Sequence, residues 1–129
     1  MISNIERRAC PRFAIPGALI GYKKIRLFGK RSDWIEQSCQ LFDLSRGGIR
    51  FLTQKPLALE TKLVIELSCP EKEEPLLLIG NTIWKADYKG DGFRYFMGIQ
   101  LNPYGEGKKF NPVGMLNKIV GLEKTYLRP

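Results

Sequence analysis

The sequence predicts an all-β protein: a six-stranded antiparallel β-barrel followed by a C-terminal α-helix. Three observations lead to this fold class. Short runs that alternate apolar and polar residues are separated by turn-forming residues, as is typical of antiparallel sheets. Near the C-terminus the apolar spacing changes to that of a helix. Six strands in a chain of 129 residues suit a small barrel, and closing the barrel removes exposed strand edges.

Turn-forming residues divide the first half of the chain into three strand-like runs. In order, the predicted elements are strand 17–28, turn 29–33, strand 34–42, turn 43–48 and a third strand. In the third strand Ile49 and Phe51 share one face and Arg50 takes the other, because side chains alternate along a strand. We expect the first two residues to face the barrel interior.

The second half of the chain repeats the pattern. The predicted elements are strand 62–68, turn 70–75, strand 76–86, hairpin loop 87–92 and strand 93–101. In strand 62–68 the residues Leu63, Ile65 and Leu67 alternate with polar residues such as Glu66 and Ser68. The three apolar residues are therefore predicted to face inward.

The C-terminal segment has the period of a helix, which we place within residues 110–124. Asn111 is a favourable N-cap residue and Pro112 suits the first helical position. Gly114 and Gly121 lower the helix propensity, so packing on the barrel must stabilise the helix. The predicted apolar stripe consists of Val113, Leu116, Ile119 and Val120.

Composition indicates one domain, with a basic N-terminal arm at residues 1–12 and the barrel and helix at residues 13–129. The net charge of +8 favours anionic partners. The three cysteines Cys10, Cys39 and Cys69 are odd in number and widely spaced, which suits reduced thiols in a cytoplasmic protein. No apolar run is long enough to span a membrane, and we expect no membrane insertion.

The sequence lacks the residues of common catalytic and metal sites. It contains no histidine, which excludes Ser-His-Asp and Cys-His nucleophile systems and His-Glu-x-x-His zinc sites. The phosphate-binding Gly-x-x-x-x-Gly-Lys-Ser/Thr loop is also missing. We therefore predict a protein that is not an enzyme and that needs no metal or cofactor.

The first motif with recognisable chemistry is a group of arginines before the first strand. Arg8 and Arg12 are separated by three residues, and Arg7 adds a third guanidinium. Arginine presents a planar fork of donors that matches a phosphate or the O6/N7 edge of guanine. The spacing alone is weakly specific, because a second copy occurs at Arg46 and Arg50.

The second motif is the polar turn at residues 43–48. Asp43 can accept hydrogen bonds from guanine N–H groups, Ser45 can bond local backbone, and Gly47 and Gly48 permit close approach of a ligand. On its own this pattern also fits an ordinary hairpin turn. Together with the preceding arginines, it indicates a receptor for a guanine nucleotide with exposed phosphates.

These motifs, in this order, resemble the PilZ domain, a bacterial receptor domain for cyclic di-GMP. The resemblance covers residues 5–101 and extends to the terminal helix. It is carried by the arginines Arg7, Arg8 and Arg12, by Asp43, Ser45 and Gly48 of the Asp-x-Ser-x-x-Gly motif, and by the strand steps Ile83-Trp84 and Gly98-Ile99. Many members have glycine in place of Glu60 and phenylalanine in place of Leu101, and both departures concern structural positions.

The resemblance implies which residues would contact cyclic di-GMP. Arg8 and Arg12 would bind phosphate and the Hoogsteen edge of guanine, and Arg7 would support them by stacking. Asp43 would accept from guanine N1–H and from the exocyclic amine. Adenine lacks these donors, so the carboxylate would discriminate between the two bases.

Other residues complete the predicted ligand site. Ser45 and the backbone at Gly48 would add contacts to guanine. Trp84 is a candidate apolar wall for a base, although a tryptophan on a strand also suits packing. Arg46 and Arg50 are candidate phosphate contacts, although both also suit solvent-exposed positions.

The resulting hypothesis is a stand-alone cyclic di-GMP receptor or adaptor in the cytoplasm. Ligand binding would order the arm at residues 1–12 and change a surface seen by an unidentified downstream protein. Two alternatives stay open. One is a PilZ scaffold that only binds protein. The other is a small basic barrel that binds single-stranded nucleic acid, which is a less favoured partner than cyclic di-GMP. The aromatic residues on which bases would stack are Tyr22, Trp34, Phe51 and Tyr95.

Overall fold

The structure is a computed structural model that describes residues 10–25 and 33–127. Six β-strands and then one α-helix follow each other along these residues. In chain order they are β1 (Leu19–Lys24), β2 (Glu36–Ser45), β3 (Gly48–Thr53), β4 (Lys62–Ser68), β5 (Leu76–Asp87), β6 (Tyr95–Leu101) and α1 (Val113–Tyr126). The predicted fold class, all-β with one terminal helix, is confirmed.

The six strands form a closed barrel in the order β1-β2-β3-β6-β5-β4. All neighbouring strands are antiparallel, and the pairing of β1 with β4 closes the sheet. Ile20 of β1, for example, lies opposite Leu67 of β4. Closure gives each of the six strands a partner on both sides, which satisfies the backbone groups that an open sheet would expose.

Alternation along the strands fills the barrel with apolar side chains. In β4, Leu63, Ile65 and Leu67 are fully buried, and the residues between them face outward as predicted. Tyr22 of β1 and Phe51 of β3 meet inside the barrel, with ring centroids 5.7 Å apart. The interior is thus a packed core.

Some strand limits differ from the prediction. β1 begins at Leu19 and ends at Lys24, whereas the prediction ran over residues 17–28. Residues 26–28, and residues 29–32 of the predicted turn, lie outside the described residues. β6 begins at Tyr95 and not at residue 93.

The largest change concerns the predicted turn at residues 43–48, most of which is strand. Asp43 pairs with Arg50 and Ser45 pairs with Gly48, so β2 and β3 continue almost to the end of the hairpin. Only residues 46–47 form the turn. The turn prediction was wrong in extent because polar residues and glycines favour turns locally, but tertiary pairing decides the strand limits.

The helix begins later than predicted, and Asn111 does not cap it. No side-chain hydrogen bond caps the N-terminus of α1. The Asn111 side chain instead accepts from the backbone N–H of Ile79 at 2.7 Å and donates to the carbonyls of Ile79 and Asn102, both at 3.0 Å. This buried asparagine therefore attaches the segment before α1 to the barrel and supplies backbone partners for β5.

The buried face of α1 also differs from the predicted stripe. Ile119 and Leu122 are buried and Met115 packs against the core, but Val113 is exposed. The face is rotated because it includes Glu123, which is also buried. Because Glu123 is polar, the apolar periodicity of the sequence gave no sign that it would be buried.

Glu60 adopts a left-handed backbone conformation with φ of 62°. This conformation is costly for residues other than glycine. The position is one where many PilZ domains have glycine, so the departure seen in the sequence falls on a residue with a real backbone requirement. It lies in the turn before β4, away from the second motif in sequence.

Candidate ligand-binding site

Strand register places several predicted site residues in one row on the outer face of the barrel. Asp43 of β2 pairs with Arg50 of β3, and Arg50 pairs with Gly98 of β6. Gly98 in turn pairs with Trp84 of β5. Directly paired residues project from the same face of a sheet, so Asp43, Arg50 and Trp84 share one surface.

A β-bulge in β2 shapes one end of this surface. The register shifts between Leu41 and Asp43, which leaves Phe42 as the extra residue. Bulges re-aim the side chains around them. Leu41 and Leu44 stay buried in the core, whereas Phe42 is 46% exposed and its ring lies beside the Arg50 guanidinium. The bulge therefore adds an aromatic ring to the surface that carries Asp43.

The Asp43 carboxylate receives two guanidiniums. Arg50 Nε donates to Oδ1 at 2.8 Å, and Arg50 Nη2 donates to Oδ2. Arg12 Nη1 also donates to Oδ1, at 3.0 Å. Because the Asp43 side chain is only 10% exposed, these charge-assisted bonds take the place of most of its hydration.

Arg12 is held beside Asp43 by the backbone of the next residue. Phe13 N donates to Leu44 O at 3.0 Å, and Leu44 N donates to Phe13 O at 2.9 Å. The Phe13 side chain is buried in the core. Two motifs that lie 31 residues apart in the sequence are therefore in direct contact. Arg7 and Arg8 lie outside the described residues, and their predicted roles stay predictions.

The end of the hairpin requires glycine at position 48. A Cβ atom there would lie 2.9 Å from the Ile99 carbonyl oxygen and 3.4 Å from an Arg12 guanidinium nitrogen. Ser45 is buried, and its hydroxyl accepts from the backbone N–H of Gly47 at 3.3 Å. Ser45 thus shapes the two-residue turn, and Gly48 leaves room for Arg12.

Arg46 is turned toward the helix. Its guanidinium donates to both carboxylate oxygens of Glu123 in α1, at 2.7 and 3.4 Å. The hydrogen bond to Glu123 raises the pKa of Arg46. The Tyr104 hydroxyl donates to the Arg46 carbonyl oxygen at 2.5 Å. The structure therefore pairs Arg46 with the helix, while it brings Arg12, Asp43 and Arg50 together.

Arg50 packs beside two aromatic rings, Phe42 and Phe96, that the sequence pattern did not point to. Its guanidinium carbon is 5.2 Å from the ring centroid of Phe42 and 5.8 Å from that of Phe96. The hydrogen bond to Asp43 raises the pKa of Arg50. Phe96 shares the outward parity of Gly98 and could have been found from it, but the role of Phe42 depends on a bulge that alternation does not predict.

Trp84 lies flat against β6. A Cβ atom on Gly98 would be 2.4 Å from Trp84 Nε1, so the indole covers the space that a side chain would take. The Trp84 and Phe96 rings meet edge to face at a centroid distance of 5.1 Å. Because Gly98 has no side chain, the Trp84 ring can lie on β6 and form a partly exposed aromatic surface in the same row as Asp43.

Within residues 10–25 and 33–127, no group of His, Cys, Asp or Glu side chains could hold a metal ion. None of the helices in these same ranges is long and apolar enough to cross a membrane.

Comparison with known proteins places this chain in a family. No curated protein shows significant similarity to the chain. The family profile of the PilZ domain, however, matches residues 6–109. The match covers most of the chain and includes both motifs and all six strands. PilZ domains are binding domains and form a family of cyclic di-GMP receptors, and this chain belongs to the PilZ domain family.

Proposed function

We propose that this protein binds cyclic di-GMP on the outer face of the barrel formed by β2, β3, β6 and β5. The observation that carries the proposal is the contact between Arg12 and Asp43, which joins the arginine motif to the Asp-x-Ser-x-x-Gly motif at 3.0 Å. Phosphate-binding and guanine-binding groups are then side by side. Such an arrangement suits a ligand that carries both phosphates and guanines.

The arginines supply the phosphate-binding part of the proposed site. The Arg12 side chain is 43% exposed, so it can contact solvent and ligand while bound to Asp43. Arg7 and Arg8 precede Arg12 in the sequence and would extend the cationic surface. We propose that Arg8 and Arg12 bind phosphate and the Hoogsteen edge of guanine, and that Arg7 stacks.

Asp43 would hold the donor edge of guanine by exchanging partners. A carboxylate has about four acceptor positions on its two oxygens, and Arg12 and Arg50 together fill three of them. One guanine donor can bind at Oδ2 without disturbing these bonds. For N1–H and the exocyclic amine to bind together, Arg12 would leave Oδ1 and turn to the ligand.

Trp84 and the turn would complete the site. The indole lies against Gly98 in the row of Asp43 and can support a base by stacking. Ser45 and the backbone at Gly48 would contact the guanine that Asp43 holds. Arg46, which is already paired with Glu123, would contribute less to phosphate binding than Arg12.

We further propose that binding orders the arm at residues 1–12 and that the new surface is recognised by a downstream protein. The arm carries three arginines whose charges repel one another until an anion lies between them. The direct test is amide hydrogen exchange of residues 1–12 with and without ligand. Equal exchange in both states would contradict the ordering step, even if the ligand binds.

The proposal is tested by calorimetric titration with cyclic di-GMP, cyclic di-AMP, GTP and a short oligonucleotide in parallel. We expect cyclic di-GMP to bind most tightly. Arg8→Ala and Arg12→Ala should each weaken binding about 10- to 100-fold, since each removes a charge-assisted pair. The matched control is Arg94→Ala, which removes one positive charge from the loop before β6.

The outcomes separate the alternatives. Equal affinity for cyclic di-GMP and cyclic di-AMP would contradict guanine recognition by Asp43. Binding to neither, in a folded protein, would favour the scaffold that only binds protein. Unchanged affinity of both arginine variants would contradict the assignment of the first motif.

The nucleic-acid alternative loses part of its support in the structure. Tyr22 and Phe51, two of its four candidate base platforms, are fully buried in the core. Trp34 is partly exposed and lies under Lys23, with the ammonium 4.8 Å from the ring centroid. Tight oligonucleotide binding with a steep salt dependence would nevertheless revive this alternative over cyclic di-GMP.

A further inference from the structure

We propose that Arg50 is a positioning residue of the cyclic di-GMP site: it fixes the Asp43 carboxylate and does not itself contact the ligand phosphates. This inference rests on the proposed function and replaces the phosphate-contact role that the sequence suggested for Arg50. In this proposal Asp43 is a fixed acceptor and Arg12 is a donor that can move to the ligand.

The first argument is the bidentate pairing of Arg50 with Asp43. Arg50 donates through Nε and Nη2 to the two different oxygens of the carboxylate. A planar fork on a planar carboxylate fixes the direction of both groups. Direct pairing of the two residues across β2 and β3 keeps both backbones in place. The carboxylate therefore has one defined orientation toward the ligand face.

The second argument is the packing of the Arg50 guanidinium beside two aromatic rings. Phe42 and Phe96 lie near it at centroid distances of 5.2 and 5.8 Å. The Phe42 and Phe96 rings also contact each other at 4.8 Å. For Arg50 to reach a phosphate, it would have to leave both rings and the carboxylate. The aromatic contacts favour the orientation in which it holds Asp43.

The third argument is the contrast with Arg12. Arg12 reaches Asp43 through Nη1, and 43% of its side chain is exposed, against 29% for Arg50. Arg12 lies before the first strand, and Arg50 lies within β3. Arg12 is thus placed to exchange Asp43 for a phosphate, and Arg50 is placed to keep the carboxylate in position when Arg12 leaves.

The test compares Arg50→Lys with Arg50→Gln in cyclic di-GMP titrations. Lysine keeps the charge but cannot form the bidentate fork. We expect both variants to weaken binding by a similar factor of about ten, as for a lost charge-assisted bond. A direct phosphate contact predicts instead that Arg50→Lys binds within about twofold of the unchanged protein, and that result would overturn the proposal. Lys72→Gln, in the turn before β5, is the charge control.

A double-mutant cycle tests whether Arg50 acts through Asp43. Asp43→Asn and Arg50→Gln should be strongly non-additive, because each removes the same fixed acceptor. Additive losses would show that Arg50 contacts the ligand independently. The salt dependence of Arg50→Gln adds a further readout: loss of a phosphate contact would lower the slope by about one, whereas loss of a positioning contact leaves the slope unchanged.

A ligand-free measurement keeps this inference separate from the proposed function. In the unchanged protein the Arg50 Nε–H should give a resolved NMR signal protected from solvent exchange, and Asp43→Asn should remove the protection. If cyclic di-GMP does not bind the unchanged protein, the proposed function fails, whatever this measurement gives. If the signal is unprotected in the unchanged protein, the fixed pairing of Arg50 with Asp43 is absent and the positioning role fails, whether or not cyclic di-GMP binds.

Discussion

Arg46 lies in the turn between β2 and β3, Arg50 lies in β3, and their partners give them different roles. Arg46 is paired with Glu123 of α1, and Arg50 with Asp43 of β2. Both carboxylates are 10% exposed, and both arginines have a raised pKa because of hydrogen bonds to them. One pair attaches the helix to the hairpin, and the other organises the outer surface that carries Asp43, Arg50 and Trp84, which is the proposed ligand face.

The difference shows that spacing alone does not assign an arginine to a ligand. Arg46 and Arg50 have the same separation as Arg8 and Arg12. Arg46 is in the turn and Arg50 is in β3, so each meets its own surroundings. Arg12 differs from Arg46 because its partner is Asp43, and it differs from Arg50 because its side chain is more exposed, 43% against 29%. The location of the acidic partner therefore decides which arginines can serve an anionic ligand.

The largest expected effect is a loss of stability when Arg46 is removed. Arg46→Met leaves the Glu123 carboxylate buried without its guanidinium, and should lower the free energy of unfolding by about 2 kcal/mol. Solvent around the half-exposed Arg46 keeps the loss at this moderate size. Urea denaturation measures it, and calorimetry should find cyclic di-GMP affinity within about threefold of the unchanged protein.

The control for Arg46→Met is the double variant with Glu123→Gln. Removing the buried charge should restore part of the lost stability. If Arg46→Met instead weakens cyclic di-GMP binding as much as Arg12→Ala does, Arg46 belongs to the ligand face and the comparison fails.

The second prediction changes the ligand face through Gly98. In Gly98→Ala the new Cβ would meet the Trp84 indole, so the ring must move outward. We expect a loss of about 1 kcal/mol in stability, the lower end of the cost of overpacking, because an outward-facing side chain can shift. The fluorescence of Trp84, recorded with Trp34→Phe in the background, should move to longer wavelength. Cyclic di-GMP binding should weaken if the indole supports a base.

An unchanged Trp84 spectrum in Gly98→Ala would mean that the indole does not rest on β6. A changed spectrum with unchanged ligand affinity would limit Trp84 to packing. Both outcomes are informative because Arg50, the neighbour of Gly98 in the same row, is untouched by the substitution.

The sequence predicted the fold well and the site in part. Alternation and turn residues are local signals, so the strands and β4 in particular could be predicted from them. Proximity of Arg12 and Asp43 followed only from the family resemblance, because it depends on a backbone bridge between Phe13 and Leu44.

Other features had no usable signal. Phe42 lies on the outer surface that carries Asp43 because of a bulge, and a simple alternation assigns such residues to the wrong side. Glu123 is buried because Arg46 reaches it across the molecule, which a helical period computed from apolar residues cannot detect. Asn111 resembled an N-cap because caps and backbone bridges use the same side chain.

The third prediction concerns the stability of α1, the helix to which Arg46 is paired through Glu123. Gly121 lies in α1, and a Cβ atom there would have nothing within 4 Å. Gly121→Ala should therefore raise the free energy of unfolding by about 0.5–1 kcal/mol, the usual gain in helix propensity. Urea denaturation should show the gain, and calorimetry should show no change in ligand affinity. A changed affinity would indicate that the helix and the ligand face are coupled.

The smallest expected effect is a loss of stability at alkaline pH, which should come from buried groups in the core and not from the two ion pairs. Burial raises the pKa of Cys39 and Tyr22 above their ordinary values of 9.0 and 10.0. Above about pH 9 the unfolded chain releases these protons and the folded chain keeps them, so the free energy of unfolding falls as pH rises. Cys39→Ala should reduce that slope in urea denaturation between pH 8 and pH 10.

The ion pairs should not contribute to this alkaline loss. Hydrogen bonds to carboxylates raise the pKa of Arg46 and Arg50, so both guanidiniums stay charged throughout the titration. The stability difference between the unchanged protein and Arg46→Met should therefore remain constant as pH rises, while both proteins lose stability in parallel. Convergence of the two curves near pH 9 would mean that the Arg46–Glu123 pair is lost with the core, and that the two arginine pairs are less independent than their separate partners indicate.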